Sequence, residues 1–391
     1  MRSITPIALL PLALLAVVLT HSAPAAEPPI RTSAQLFNQK DPRSLGLPTA
    51  PGQHTLLYRA TKDSYKYSHH ANLGVFKDRL YVAWSSGIEH EDENGQRVLY
   101  CHSDDGVSFS KPEVLIPDPD GLDGEMGSTC AGFFATETTF IAYYTRFVHS
   151  EPVHERNTVH AVTSKDAKNW SSPHDLTAGF FIERPRRLLS GRLLMNGQQP
   201  SRAHRQPRLR YTDATDGLRG WKDATIPEAD VYSFPEPTWF QRPDSTIVML
   251  FRARSQKADG RLYASTSADN GVTWTRPVRT SYPDATARSS AGNLPDSTAF
   301  IINNPSHTPG PVPRIGHRIP LVISLSRDGS LFDRAFVIRN EETTYRFKGT
   351  HKLPGWQYPG SIVWRSHLYV AYSINKEDVG ITRISLAALS E

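Results

Sequence analysis

Short apolar runs, each about one strand long, recur along the chain between clusters of Gly, Pro, Asn and Asp. The clearest are N-L-G-V-F-K-D-R-L-Y-V-A-W-S (72–85), T-F-I-A-Y-Y-T-R-F (139–147), T-I-V-M-L-F-R-A-R (246–254), I-P-L-V-I-S-L-S (319–326) and S-H-L-Y-V-A-Y-S (366–373). They are rich in Val, Ile, Tyr, Phe and Trp. Long rows with helical spacing are almost absent. Runs of this kind bounded by turn residues predict an all-β chain.

A turn-like word also repeats. S-A-D-N-G-V-T-W (267–274) is followed by T-R-P, H-S-D-D-G-V-S-F (102–109) by S-K-P, and S-K-D-A-K-N-W (164–170) by S-S-P. S-R-D-G-S-L-F (326–332) and Y-T-D-A-T-D-G-L-R-G-W (211–221) are looser copies. The physical reading is a hairpin turn in which Asp caps turn amides, Gly takes a positive φ and the aromatic residue packs inward. Asp104, Asp166 and Asp269 are therefore expected to be turn-formers. Copies recur at roughly 45 to 60 residues, the period of a four-stranded propeller blade. Six units can be drawn: 68–117, 132–177, 183–226, 236–280, 292–338 and 358–386. The last is short by a strand, which H-T-L-L-Y-R-A (54–60) could supply.

The chain has 391 residues. It starts with Arg2, a short apolar run and A-P-A near Ala25. This reads as a secretory signal over residues 1–25, with 26–391 as one propeller domain. The run is too short for a membrane span and no later stretch is long enough. The expected location is therefore secreted or periplasmic. Cys101 and Cys130 are the two cysteines; they either pair after export or stay as separate buried thiols. The formal charge is +5, and losing Arg2 makes it +4. Basic and acidic residues are interleaved, which argues against nucleic acid. A mild positive balance suits an acidic polysaccharide.

The repeated word resembles the Asp-box (BNR-repeat) turn of sialidase-like β-propellers. That resemblance implies four-stranded antiparallel blades. It also implies, for a sialidase, three arginines on a substrate carboxylate, a tyrosine nucleophile with a glutamate, and an aspartate acid/base. The N-terminal arginine motif is missing: the region before the first blade offers only Arg59 and K-D-S-Y-K-Y-S-H-H (62–70). A second set of words is similar to the branch containing ulvan lyases, rhamnosyl-glucuronate lyases and α-L-rhamnosidases. It comprises H-H-A-N-L-G-V-F-K-D-R-L-Y-V-A-W-S-S-G (69–87), E-D-E-N-G-Q-R-V (91–98), E-R-P-R-R-L-L-S-G-R-L-L (183–194) and A-R-S-S-A-G-N-L-P-D-S-T-A-F-I-I-N-N-P (287–305). R-I-P-L-V-I-S-L-S-R-D-G (318–329), K-L-P-G-W-Q-Y-P-G-S-I (352–362) and N-K-E-D (375–378) complete it in order. This branch implies seven blades, so seven are expected although the units number six.

The branch further implies β-elimination at a uronic acid of a rhamnose- and glucuronate-containing polysaccharide. The alternatives are hydrolysis by an α-L-rhamnosidase, hydrolysis by an exo-sialidase, and a propeller that binds carbohydrate without catalysis. Elimination needs cations or amides on the carboxylate and an acid and base near neutrality. His70 and His90, near the inner edge of the first blade, are candidate base and acid. Tyr144 and Arg146 share one face of their strand by alternation and are candidate proton partner and clamp. His69, Arg210, Arg252, Arg288, Asn293, Lys352 and Tyr358 are candidate substrate contacts. Tyr358 stands about where the sialidase nucleophile would fall. Alternation within Y-S-H-H-A-N-L (67–73) allows only one of the paired histidines to face the channel, and His70 is the expected one. No cofactor is required and no metal is expected at the site; a structural calcium in the channel is compatible with the sequence.

Overall fold

The computed structural model describes residues 27–119, 126–148, 157–200, 206–232, 234–252, 260–306 and 318–390. The signal segment lies outside the described residues. Six four-stranded sheets follow one another along the chain. Blade 1 comprises Tyr67–Phe76, Arg79–Gly87, Arg97–Ser103 and Glu113–Ile116. Blade 2 comprises Met126–Ala135, Phe140–Val148, Thr158–Ser164 and His174–Ala178. Blade 3 comprises Arg186–Arg187, Leu193–Gln198, Pro207–Thr212 and Lys222–Asp223. Blade 4 comprises Thr238–Gln241, Ile247–Arg252, Arg261–Ser267 and Val278–Pro283. Blade 5 comprises Ser290–Asn293, Ala299–Asn303, Leu321–Ser326 and Arg334–Arg339.

Blade 6 takes three strands from the C-terminal region, Trp356–Trp364, His367–Ile374 and Asp378–Ser385, and its outer strand, Gly52–Tyr58, from the N-terminal region. The ring is thereby closed by joining the two ends of the chain, as the short last unit anticipates. Seven blades are not seen: among the described residues there are six. The six repeat units correspond one to one with these sheets, and the N-terminal strand completes the sixth blade instead of adding another. No helix of the described residues is long and apolar enough to cross a membrane.

The aspartate turns form as expected, with one shift of residue. Asp166, Asp269 and Asp328 each accept backbone amides two to four residues ahead and a serine hydroxyl two residues back. In the first box it is Asp105, not Asp104, that does this: it takes the amides of Val107 and Ser108 and the Ser103 hydroxyl. Asp104 instead pairs with Arg79 at 2.6 Å. The word S-D-D-G offers two aspartates, and the spacing from Ser103 selects the second. Gly106 then takes φ +72°, where an added Cβ would fall 2.0 Å from the Tyr369 hydroxyl of blade 6.

The core lies between blades. Trp84, Leu99 and Cys101 of blade 1 pack with Trp364, Tyr369 and Ile381 of blade 6. Cys130 packs with Tyr81, Tyr100 and Phe140 in the next layer. Cys101 and Cys130 are thus separate buried thiols, and burial pushes both up to about 12.

The innermost strands of blades 6, 1 and 2 pack side by side, as do those of blades 4, 5 and 6. Three of these strands carry an extra residue at matching depth. The register slips between His69 and Asn72, between Cys130 and Gly132, and between Gln357 and Gly360. Each slip holds one residue with positive φ: His70 (55°), Gly132 (88°) and Tyr358 (56°). Blade 2 uses glycine there, as the conformation favours. Blades 1 and 6 force a histidine and a tyrosine into it. Strain of this type persists where the surroundings over-determine it, and it clusters at functional sites.

Candidate active site around Tyr358

The bulge in blade 6 turns Tyr358 into the centre of the ring, where it is 4 % exposed. Its hydroxyl donates to Glu236 Oε1 at 2.8 Å and accepts from Arg252 Nη1 at 2.6 Å. Arg252 ends the second strand of blade 4, and Glu236 precedes that blade's first strand. The two also pair directly, Nη1 to Oε2 at 2.8 Å, with both side chains about 6 % exposed. Arg318 places its guanidinium 5.2 Å from the centre of the Tyr358 ring and is held by Gln357. Tyr358, Glu236, Arg252 and Arg318 thus form one buried group drawn from blades 4, 5 and 6.

Blade 1 supplies the other side. The His69 ring lies 3.9 Å from the Tyr358 ring and the His70 ring 5.5 Å from it, with 4.4 Å between the two imidazoles. Both histidines therefore meet Tyr358. Strict alternation fails here because the bulge places His70 and Ala71 opposite a single partner residue, which swings the second imidazole back beside the first. His70 Nδ1 is 3.2 Å from the Ser85 hydroxyl. Glu91 follows the second strand of blade 1. It lies 3.7 Å from His69 Nε2 and receives Lys376 Nζ at 2.7 Å on both oxygens. The Tyr67 hydroxyl donates to it at 3.2 Å.

Electrostatics sort these groups into roles. Burial raises the Tyr358 phenol well above its usual range; Arg252 pulls it down and Glu236 pushes it back up. The tyrosine is therefore a neutral phenol whose proton faces a carboxylate. Burial works against the charge on Arg252, but Glu236 and then Tyr358 outweigh it and leave the guanidinium firmly protonated. Burial drives His70 down to about 3 and His69 well below its normal value, with Lys376 and Arg288 adding to the effect. Both imidazoles are neutral at physiological pH and can act as acceptors. Burial also lowers Lys376, against the pull of Glu91.

A stability consequence follows for His70. Its folded value lies below its unfolded one, so the unfolded chain binds more protons as pH falls from about 6.5. Stability contributed by the neutral imidazole is full above that pH and is lost toward pH 3. Melting temperatures at pH 7.5 and 4.5 should fall steeply for the native protein and less steeply for His70→Gln. An equal slope in both would contradict the burial argument.

His69, His70 and Glu91 bring ligand-type atoms within 4.8 Å of one another, the three-donor group among the described residues that could hold a metal ion. The fit is poor. Glu91 is already taken by Lys376, and Lys376, Arg318 and Arg288 all repel positive charge at His69. A divalent cation would have to displace Lys376, so no step is routed through one.

The remaining candidates lie elsewhere. His90 is exposed, and its Nδ1 accepts from the Thr350 amide at 3.0 Å. Tyr144 and Arg146 do share a face, 3.4 Å apart, but on the second strand of blade 2, where Tyr144 stacks on His160. Arg210 pairs with Asp223 at 3.0 Å on the outer edge of blade 3. Asn293 ties blade 5 to Gln241 of blade 4 through both its amide ends. Lys352 donates to the Lys66 carbonyl at 2.7 Å and sits 3.6 Å from Glu377. Arg288 is fully buried and acts on both histidines by its charge. Glu236, Arg318, Glu91 and Lys376 were not singled out by sequence reasoning. Three of them stand in the words R-I-P-L-V, E-D-E-N-G and N-K-E-D; Glu236 stands between two prolines before a short strand.

The model of the BNR repeat-like domain matches residues 78–370. The chain belongs to the BNR repeat-like family. No curated protein sequence matches it. Among solved structures, this BNR repeat-like chain is similar to a Dyadobacter fermentans protein of unknown function, with TM-score 0.64 and 14 % identity over 85 % of this chain and 98 % of that one. It is similar to the Hadza microbial sialidase Hz136, with TM-score 0.68 and 14 % identity over 86 % and 69 %. It is also similar to the intramolecular trans-sialidase from Ruminococcus gnavus, with TM-score 0.62 and 10 % identity over 86 % and 98 %. At these identities the likeness shows the shared fold. The BNR repeat-like membership and these neighbours support the propeller fold.

Proposed function

We propose that the protein is a glycosidase acting on a sugar that carries a carboxylate, with Tyr358 as nucleophile. The observation that carries this reading is the Tyr358–Glu236–Arg252 contact, 2.8 and 2.6 Å on one buried phenol. Tyrosine nucleophiles are known among sialidases, which depart from the usual carboxylate pair. Solved neighbours that include a sialidase and an intramolecular trans-sialidase support the reading. Arg252 and Arg318 fit a substrate carboxylate, and in a dry site such donors stabilise charge strongly.

In this scheme the phenol oxygen bonds to the anomeric carbon and its proton passes to Glu236. The glycosidic C–O bond breaks. The departing oxygen takes a proton held on the Lys376–Glu91 pair. Water then cleaves the tyrosyl glycoside: it gives one proton to the Lys376–Glu91 pair, which is thereby restored, while Glu236 returns its proton to the phenol. The N-terminal arginine motif of the sialidase pattern is missing from the sequence. His69, His70 and Glu91 occupy the blade 1 side instead, and that difference points away from sialic acid itself toward another acidic sugar.

One observation favours a second reading. Two neutral imidazoles beside the phenol suit proton abstraction next to a uronate carboxylate, which is β-elimination. A panel of sialosides, glucuronosides and rhamnosyl-glucuronate polymers separates the two. Hydrolysis gives new reducing sugar without an unsaturated-uronate absorbance. Growth of that absorbance would replace the glycosidase reading with elimination, and inactivity across the panel would leave carbohydrate binding alone.

A further inference from the structure

The innermost strands continue past His70 and Tyr358, and a cavity of about 240 Å3 lies along them. Asn72 and Gly360 line it, each two residues beyond the positive-φ residue of its bulge. Four arginines line it, Arg184, Arg186, Arg187 and Arg288, against the single carboxylate of Glu183. Their partners are unequal. Arg186 is engaged: its Nε lies 3.0 Å from Glu183 and its Nη1 and Nη2 donate to the carbonyls of Ala291 at 2.7 Å and Trp239 at 2.6 Å. Glu183 is likewise spent, since Asn196 also donates to it at 3.2 Å. Arg187 is exposed and bonds to the Gly191 carbonyl.

Arg288 is different. It is 1 % exposed, yet its Nε and Nη1 have no hydrogen-bond partner. Arg184, partly exposed at the same cavity, makes no ion pair or hydrogen bond with the described residues. Burial and the neighbouring Arg186 push it down to about 10. A buried guanidinium with idle donors is costly unless something acceptor-rich occupies the space. The hydroxyls of Ser290 and Ser361, 2.8 Å apart on the neighbouring inner strands of blades 5 and 6, add neutral polar groups to the same wall.

We propose that this deeper half of the axial channel is an oxyanion site, in which Arg288 and Arg184 hold a carboxylate or an inorganic phosphate. It is separate from the Tyr358 centre and rests on different residues. An acceptor-only group would take the idle N–H donors of Arg288, and planar oxyanions match guanidinium geometry. The two sources of such a group are a free ion and the carboxylate of an acidic sugar unit entering beyond the reacting one.

The test is equilibrium binding by calorimetry and by thermal shift on the full chain. Sodium phosphate and sodium glucuronate are the probes, with ionic strength held by a bulky sulfonate buffer. The native protein and Tyr358→Phe should both bind saturably. Arg288→Gln and Arg184→Gln should each weaken binding at least tenfold, and the partly exposed Arg184 supplies a variant whose folding is little at risk. Saturation by both probes, or by one alone, supports the site and identifies its source. No saturable binding of either probe, or binding unchanged in both arginine variants, would overturn it. Because Tyr358→Phe retains this binding, failure here is distinguishable from failure of the glycosidase reading.

Discussion

Tyr358→Phe is expected to leave the propeller folded and to lower glycan cleavage by roughly 10³-fold or more, the scale seen when a reacting group is removed. The substitution keeps the aromatic ring that His69 and His70 pack against, 3.9 and 5.5 Å away. It removes only the oxygen placed between Glu236 and Arg252. Those two remain paired with each other at 2.8 Å, so neither is orphaned and stability should change little. Turnover on the best substrate of the acidic panel, with circular dichroism as a control on folding, reads both halves. A loss under tenfold would mean that the phenol oxygen does not react.

Arg252→Met should have the largest effect on stability. Both partners of this ion pair are about 6 % exposed, and removing one member of a buried pair costs about 3–5 kcal/mol because the other charge is left behind. Here Glu236 would keep the Tyr358 hydroxyl and the weaker pull of Arg318. The double change Arg252→Met with Glu236→Leu should recover most of that loss, since replacing both charges by apolar groups is often neutral. Urea denaturation of the two variants measures it. A single variant within about 1 kcal/mol of the native protein would contradict the burial of this pair. Activity should be lost in both, which separates the stabilising part of the pair from its chemical part.

The fold was readable from repetition. Turn words such as S-A-D-N-G-V-T-W and the alternation of short apolar runs specify blades, because both are local properties of hairpins. The number of blades was also present, in the six units and the spare strand at 54–60. The expectation of seven came from resemblance and gave way to the direct count. In the first box the sequence offered Asp104 and Asp105, and only the spacing from Ser103 distinguishes them.

The site was half legible. His69, His70, Arg252, Arg288 and Tyr358 all line the axis or its walls. Tyr144 and Arg146 were correctly placed on one face of their strand, but second strands reach the axis only at their ends, as Arg252 does. Arg146, two residues from the end of its own strand, stays in blade 2. Alternation missed the convergence of the two histidines because a bulge leaves no mark in one sequence when the positive φ falls on His instead of Gly. Glu236 escaped for a related reason: a lone carboxylate between prolines has no periodic context, and only the closed ring brings it to Tyr358, 122 residues away.

The central claim is that the Tyr358 oxygen forms a bond to the sugar. The most direct measurement is trapping: incubation with a fluorinated, activated acidic glycosyl fluoride, followed by intact-mass and peptide mass spectrometry. One added glycosyl mass per chain is expected, on the peptide that contains Tyr358, and none on Tyr358→Phe. Substrate turnover with no adduct, accompanied by rising unsaturated-uronate absorbance, would contradict it.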